Sequence, residues 1–191
     1  MSHSIASASE LLVENLSLFE NLNGSNGILD LACGNGRNGL LLLQSNIAVT
    51  FADNNKSALS NIDSSISALR SFNLELANAE CWEVDLEQAS VKPLENLCFD
   101  AVLVFNYLHR PLLPAIKQVI SKGGLIFYET FTVHQTKFGR PTNPDYLLKE
   151  NELLDAFKDW EVIKYFEGIK TNPERAVASL VARKPSQNGA K

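Results

Sequence analysis

Residues 28–39 read ILDLACGNGRNG, and this dozen constrains the chain more than any other stretch. A short apolar run, Ile28 to Ala32 with Asp30 inside it, enters a turn holding Gly34 and Gly36 and then a leucine-rich segment. The run reads as a buried strand and the leucines as a helix over about 36–44. Strand, glycine turn and helix in that order aim backbone N–H groups and a helix N-terminus at a ligand above a sheet. Gly34 and Gly36 allow positive φ and a close backbone approach that a Cβ would block. Asp30, at the strand end, is placed to accept from a cationic or N–H-bearing group. A tight β–α turn with no ligand also uses glycines, so the rest of the chain has to decide.

The downstream pattern alternates. Residues 47–52 form a β-branched and aromatic strand, and Ala58, Leu59, Ile62, Ile66 and Leu69 mark a helix. A strand follows around 81–84, and 99–105 is a near-continuous apolar run, the pattern of a strand covered on both faces. Pro111 opens a helix with Leu112, Ile116 and Val119 on one face; Gly123 and Gly124 are expected to stop it before a strand at 125–128. This rhythm predicts a mostly parallel sheet with right-handed crossovers. The last third departs from it. A long loop (132–146) and a short helix near 150–157 precede two strand-like segments, 160–166 and 176–183. Two consecutive strands require an antiparallel hairpin, so the sheet is expected to end in an antiparallel pair.

Composition sets outer limits. With 191 residues, one domain is expected over 24–184, preceded by an N-terminal helix within 1–23 and followed by a disordered tail, 185–191. Ile5, Ala8, Leu12, Leu16 and Phe19 give that first helix its spacing, with Ser7 or Ser9 as N-cap. The net charge of −5 argues against a general nucleic-acid binder, which needs an excess of Lys and Arg. Three cysteines, Cys33, Cys81 and Cys98, are odd in number and lack zinc-site spacing; a reduced, cytoplasmic protein and no metal are expected. The opening ten residues lack the charge and apolar core of a secretory signal, and no apolar run approaches the ~20 residues that span a bilayer.

On these residues the chain resembles the class I S-adenosylmethionine-dependent methyltransferases. Their first motif reads acid-x-Gly-x-Gly-x-Gly, and here Asp30, Ala32, Gly34 and Gly36 hold those positions, alanine replacing the first glycine. The resemblance implies a Rossmann-like three-layer α/β sandwich, a seven-stranded mostly parallel sheet ending in an antiparallel hairpin, and S-adenosylmethionine as cofactor. By it, Asp30, Ala32, Gly34, Asn35 and Gly36 line the cofactor. Asp53 and Asn54 end the second strand, where a carboxylate takes ribose hydroxyls. Asp85 contacts the adenine amino group, with Leu86 flanking the ring and Phe105 nearby. Asp53 and Asp85 also have a plain structural reading, as caps of the helices after them.

The blocks NYLHRPL, GGLIFYETF and FGRPTNP within 99–144 look like small bacterial methyltransferases related to tellurite-resistance (TehB-type) proteins. The resemblance puts Asn106, Tyr107, His109 and Arg110 around the reactive methyl; Glu129, His134 and Arg140, at and beyond the end of the fifth strand where open α/β sheets build substrate sites, join Arg110 as acceptor candidates. Methyl transfer from a sulfonium needs alignment and water exclusion, and sometimes a base, but no covalent nucleophile. His109 suits the base and Arg110 suits an anionic group; both equally suit a brace for the helix at Pro111. Glu129 either faces a pocket or pairs with a nearby Arg. The 132–146 loop reads either as a lid, with Phe138 and Arg140 over substrate, or as a solvated connector. Phe105, Phe127, Phe131 and Phe166 suit a core better than a cofactor contact.

The expected activity is methyl transfer to a small soluble acceptor, with a tellurite- or chalcogen-type oxyanion implied by the subgroup alone. Residues 1–105 hold 4 basic and 13 acidic residues and 106–140 hold 5 and 1, so the positive excess lies in the presumed acceptor half. FNYLHRP matches neither Asn-Pro-Pro-Tyr/Phe nor a Pro-Cys pair, so nothing points to nucleic-acid methylation. Two rivals remain. Gly34, Gly36 and Gly39 fit G-x-G-x-x-G, which keeps an NAD-dependent oxidoreductase open. A non-catalytic cofactor-binding scaffold is the other. The oligomeric state is not legible in the sequence.

Overall fold

A computed structural model describes residues 7–22, 24–72, 75–88 and 92–186. The expected Ile5 contact of the first helix and residues 187–191 of the expected tail lie outside the described residues. The chain divides into two compact units, Met1–Pro93 and Leu94–Lys191.

In the first unit, α1 (Glu10–Val13) is one turn long and gives way to a 3-10 segment, Leu16–Asn21. The single long helix expected within 1–23 is therefore interrupted. Asn15 is the cause: its side-chain amide donates back to the Leu11 carbonyl (2.8 Å), and its backbone leaves the helical region (φ −123°). Strand β1 (Ile28–Leu31) is buried throughout. Helix α2 (Arg37–Gln44) follows the glycine turn with Gly36 at its N-cap. Strand β2 (Val49–Asp53), helix α3 (Lys56–Ser71) and strand β3 (Ala79–Glu83) complete the unit. Asn55 caps α3 by accepting from the Ala58 N–H. β1 and β3 both pair parallel with β2, and Leu29, Leu31, Leu42, Phe51 and Ile62 are fully buried there.

The second unit opens with β4 (Phe99–Phe105), buried at every position, as the continuous apolar run predicts. A 3-10 turn (Arg110–Leu112) leads into α4 (Leu113–Val119), which buries Ile116 and Val119 on one face while the turn buries Leu112. Strand β5 (Ile120–Phe131) then starts five residues earlier than the sequence suggests. Gly123 and Gly124 do not end the helix; they lie inside the strand. The helix stops because β-branched Ile120 turns to extended backbone (ψ 129°). The glycines instead accommodate an irregularity, where Phe99 pairs with Ile120 but Ala101 pairs with Leu125. A Cβ on Gly124 would stand 2.6 Å from the Asp100 carbonyl oxygen.

The loop after β5 holds two 3-10 turns, Val133–Lys137 and Pro144–Tyr146, before α5 (Glu152–Ala156). Strands β6 (Glu161–Lys170) and β7 (Arg175–Arg183) close the unit as an antiparallel hairpin, and β7 also runs antiparallel to β5. The stretch expected to join two short strands is largely strand itself. Phe166 is 38% exposed on β6, so it does not join the core with Phe127 and Phe105.

The sheet has seven strands in the order β3-β2-β1-β4-β5-β7-β6, with β1 to β5 parallel where paired and the terminal pair antiparallel. This is the mixed α/β fold the sequence pattern predicts. Among the described residues no helix is long and apolar enough to cross a membrane.

Candidate functional site

In the first unit the sequence-predicted residues gather at the carboxyl ends of β1 and β2. Ala32, Gly34 and Gly36 all take positive φ (52°, 54° and 70°). The turn is closed by the Gly36 N–H donating to the Cys33 carbonyl (2.9 Å) and tied to β2 by the Cys33 N–H donating to the Ala52 carbonyl. The two glycines serve different needs. A Cβ on Gly36 would fall 2.7 Å from Ile62 Cδ1, so that position lacks room on the protein side. A Cβ on Gly34 would meet nothing within 4 Å, which leaves the Gly34 side of the turn open to an approaching molecule. Asn35, at the tip, is exposed.

Asp30 is 2% exposed, and its Oδ2 accepts from the Gly39 N–H (2.9 Å) in the first turn of α2. Burial pushes its carboxyl up to about 7, against the opposing pull of that hydrogen bond and of Arg37; nearby Asp53 adds to the rise. A cation placed beside Asp30 would restore its ionised form, so the site suits a positively charged ligand group.

Asp53 is the organising carboxylate of the turn. Its Oδ2 accepts from the Gly34 N–H (2.8 Å) and its Oδ1 from the Asn55 N–H (2.9 Å), leaving further lone pairs for hydroxyl donors. Asn54 is exposed beside it. Asp85 lies two residues beyond β3, exposed, and its Oδ1 accepts from the Glu87 N–H (2.9 Å) in a local turn; Leu86 is buried. Neither aspartate caps a helix as the structural reading expects: Asn55 caps α3, and among the described residues no helix follows Asp85 before β4; both hold backbone N–H groups instead, with acceptor capacity to spare.

Cys33 is half-buried in the turn, and desolvation with the charges of Asp30 and Asp53 pushes its thiol well above the ordinary range. Burial lifts the Cys81 thiol to about 12. Neither is a thiolate nucleophile at neutral pH.

In the second unit, Phe105 is the buried last residue of β4, and Asn106 follows it in the left-handed region (φ 56°), exposed. The Asn106 N–H donates to the Glu129 carbonyl (2.8 Å), joining the ends of β4 and β5. The Tyr107 carbonyl accepts from the buried Tyr128 hydroxyl (3.1 Å). His109 is half-buried, and its carbonyl accepts from the Leu112 N–H (3.0 Å).

Arg110 has other work than a free anion clamp. Its Nε and Nη2 donate to the two carboxylate oxygens of Glu152 (2.6 and 2.9 Å), Nη2 also to the Leu147 carbonyl and Nη1 to the Asp145 carbonyl (2.8 Å each). Four of its five N–H groups are committed within the protein. The hydrogen-bonded pair raises the Arg110 pKa and lowers that of Glu152.

Glu129 is 4% exposed and takes the pairing alternative: Lys170 Nζ donates to its Oε2 (2.7 Å) and Arg175 lies 3.9 Å from its Oε1. His134 and Arg140 are exposed on the loop. Buried Gln135 holds that loop, donating to the Arg140 carbonyl (3.1 Å) and accepting from the Ala176 N–H (2.9 Å).

Sequence reasoning missed Gln135, Glu152, Lys170 and Arg175. Each meets its long-range partner about forty or more residues away, so no local spacing flags it; Gln135 and Glu152 also have nearer contacts, to Arg140 and Lys149.

The residues matched by the tellurite resistance protein TehB family model run from 16 to 174, most of the chain. The chain belongs to the TehB family. A probable S-adenosyl-L-methionine-dependent methyltransferase TehB of Haemophilus influenzae is 28% identical over 148 residues, covering 74% of this chain and 48% of that protein. The chain therefore spans about half the length of the curated relatives it matches. Among solved structures, TehB from Haemophilus influenzae superposes with a TM-score of 0.70 at 21% identity, covering 92% of this chain and 61% of that one. Magnesium protoporphyrin IX methyltransferase from Synechocystis, with bound S-adenosylhomocysteine, gives 0.67 at 15% identity, covering 91% and 80%. At these identities the structures of TehB and its neighbours establish the fold, that of class I methyltransferases.

Proposed function

We propose that this chain transfers a methyl group from S-adenosylmethionine to a small anionic acceptor, with residues 24–184 as the catalytic domain. The observation that carries the cofactor half is the turn of the first unit. Gly34 leaves its outer face open, Asp53 anchors the same residue, and buried Asp30 is primed for a cation. In this reading Asp30 takes the methionine amino end, directly or through water, and Ala32, Gly34, Asn35 and Gly36 line the chain of the ligand. Asp53 with Asn54 receives the ribose hydroxyls, and Asp85 with Leu86 receives the adenine. When bound, S-adenosylmethionine supplies an electrophilic methyl, whose carbon–sulfur bond breaks as the acceptor's electron pair forms the new bond. The chain's own task is orientation and exclusion of water.

His109 accepts the proton when the acceptor is a thiol, hydroxyl or amine, and Asn106 and Tyr107 shape its surroundings. An oxyanion such as tellurite presents an electron pair of its own and needs no base to uncover it, and family membership favours that class. The second unit supports an anionic acceptor, because Lys170 and Arg175 share the single carboxylate of Glu129 and leave net positive charge at the end of β5. In this reading the exposed His134 and Arg140 contact the acceptor from the loop. A cytoplasmic setting suits such a reaction, since its cysteines are free.

Thermal shift separates this reading from a dinucleotide enzyme. S-adenosylhomocysteine is expected to raise the melting temperature and NAD to leave it unchanged; stabilisation by NAD alone overturns the proposal. Asp53→Ala is expected to weaken S-adenosylhomocysteine binding by about 1.5–3 kcal/mol, the usual loss for a charge-assisted hydrogen bond. Calorimetry showing parental affinity in that variant removes the ribose assignment.

A further inference from the structure

We propose that Glu152 is a positioning residue, acting through Arg110 to hold residues 145–149 against the turn that carries His109. The proposal rests on the methyl-transfer reading for what His109 does, but the tie itself is a property of the second unit.

The turn between β4 and α4 is fixed at three points. Asn106 donates its N–H to the Glu129 carbonyl, and Tyr107 receives the Tyr128 hydroxyl. The third point is the Arg110 guanidinium. His109 lies between the second and third anchors, with extended backbone (φ −132°, ψ 98°) that leaves its orientation to its neighbours. The third anchor is also the most elaborate. Glu152 receives the guanidinium through both oxygens, and its Oε2 accepts a further N–H from Lys149 (2.8 Å). Arg110 in turn collects the carbonyls of Asp145 and Leu147. One ion pair therefore fastens three points of the 145–152 stretch to the residue next to His109.

This differs from an ordinary surface salt bridge, which is monodentate, mobile and of little value. The Arg110 and Glu152 side chains are 32% and 23% exposed, and the planar fork fixes direction as well as distance. A lysine at 110 would supply the charge without the fork, and an aspartate at 152 would supply the carboxylate without the reach. Either variant keeps the net charge and loses the geometry.

The test uses those two charge-preserving variants, Glu152→Asp and Arg110→Lys, in the full chain. Ring resonances of His109 are followed by NMR against a His109→Asn reference, with amide exchange of residues 145–149 and S-adenosylhomocysteine affinity measured in parallel. Both variants are expected to displace the His109 ring signals and to speed exchange at 145–149 by about tenfold, with affinity kept within about twofold. The proposal is overturned if folded Glu152→Asp speeds exchange yet leaves the His109 signals on those of the parent, because the ion pair then only stabilises its own segment. Unchanged exchange overturns it as well. Should Arg110→Lys not fold, Glu152→Asp decides alone. Failure of the parent to bind S-adenosylhomocysteine counts against the methyl-transfer reading and leaves the His109 comparison intact.

Discussion

A buried carboxylate at a strand end has a pH-dependent cost, and Asp30 makes that cost measurable. Its free value of 3.8 rises to about 7 in the fold, chiefly through desolvation. Between those values the folded chain keeps a proton that the unfolded chain has lost. Asp30 therefore makes the ligand-free protein less stable as pH climbs from about 4 to about 7, with no further loss above that. The facing groups are Arg37, which lowers the shift, and Asp53, which adds to it. Urea unfolding across this window is expected to show a declining trend that Asp30→Asn flattens; an unflattened trend would mean that other groups cause it. Ala32 is a second legible residue. Alanine at a family glycine position predicts a constrained turn, and the structure gives it φ 52°. Ala32→Gly is expected to raise stability by about 1 kcal/mol in the same assay, the cost an L-residue meets in that region. By contrast, Arg110 offered two readings, and the sequence did not choose, because Glu152 lies 42 residues away.

At the scale of elements, β1, β2, β4, α2 and α3 are found within about two residues of their expected bounds, since each rests on local periodicity. The departures have two causes, a local side-chain bond in one case and a contact from elsewhere in the other. Asn15 breaks the first helix by bonding to the Leu11 carbonyl. Gly124 lies within β5 because the Asp100 carbonyl packs against it. Gly124→Ala is expected to cost about 1–3 kcal/mol in chemical denaturation, as an added methyl would press on backbone and on Ile120. A neutral result would mean that β5 can shift to make room. The 132–146 loop is neither bare connector nor free arm. Gln135 ties its first half, and Arg110, donating to the Asp145 and Leu147 carbonyls, ties its end.

For the whole molecule, the net charge of −5 conceals an uneven distribution. Acidic residues prevail in 1–105, and the cationic pair on Glu129 belongs to the second unit. If acceptor capture draws on that positive excess, raising salt from about 0.05 to about 0.5 M should increase KM for tellurite several-fold while S-adenosylhomocysteine affinity changes little. A salt-independent KM would place the acceptor away from these charges. The order of strands and helices, the glycine turn and the closing hairpin were determined by the sequence itself, because apolar period, glycine placement and the absence of a crossover helix are encoded by neighbours along the chain. The start of β5, the Arg110–Glu152 fork and the Glu129–Lys170 pair were decided only in three dimensions. Charge pairing depends on distance in space, and residues some forty positions apart carry no local sign that folding will bring them within 3 Å.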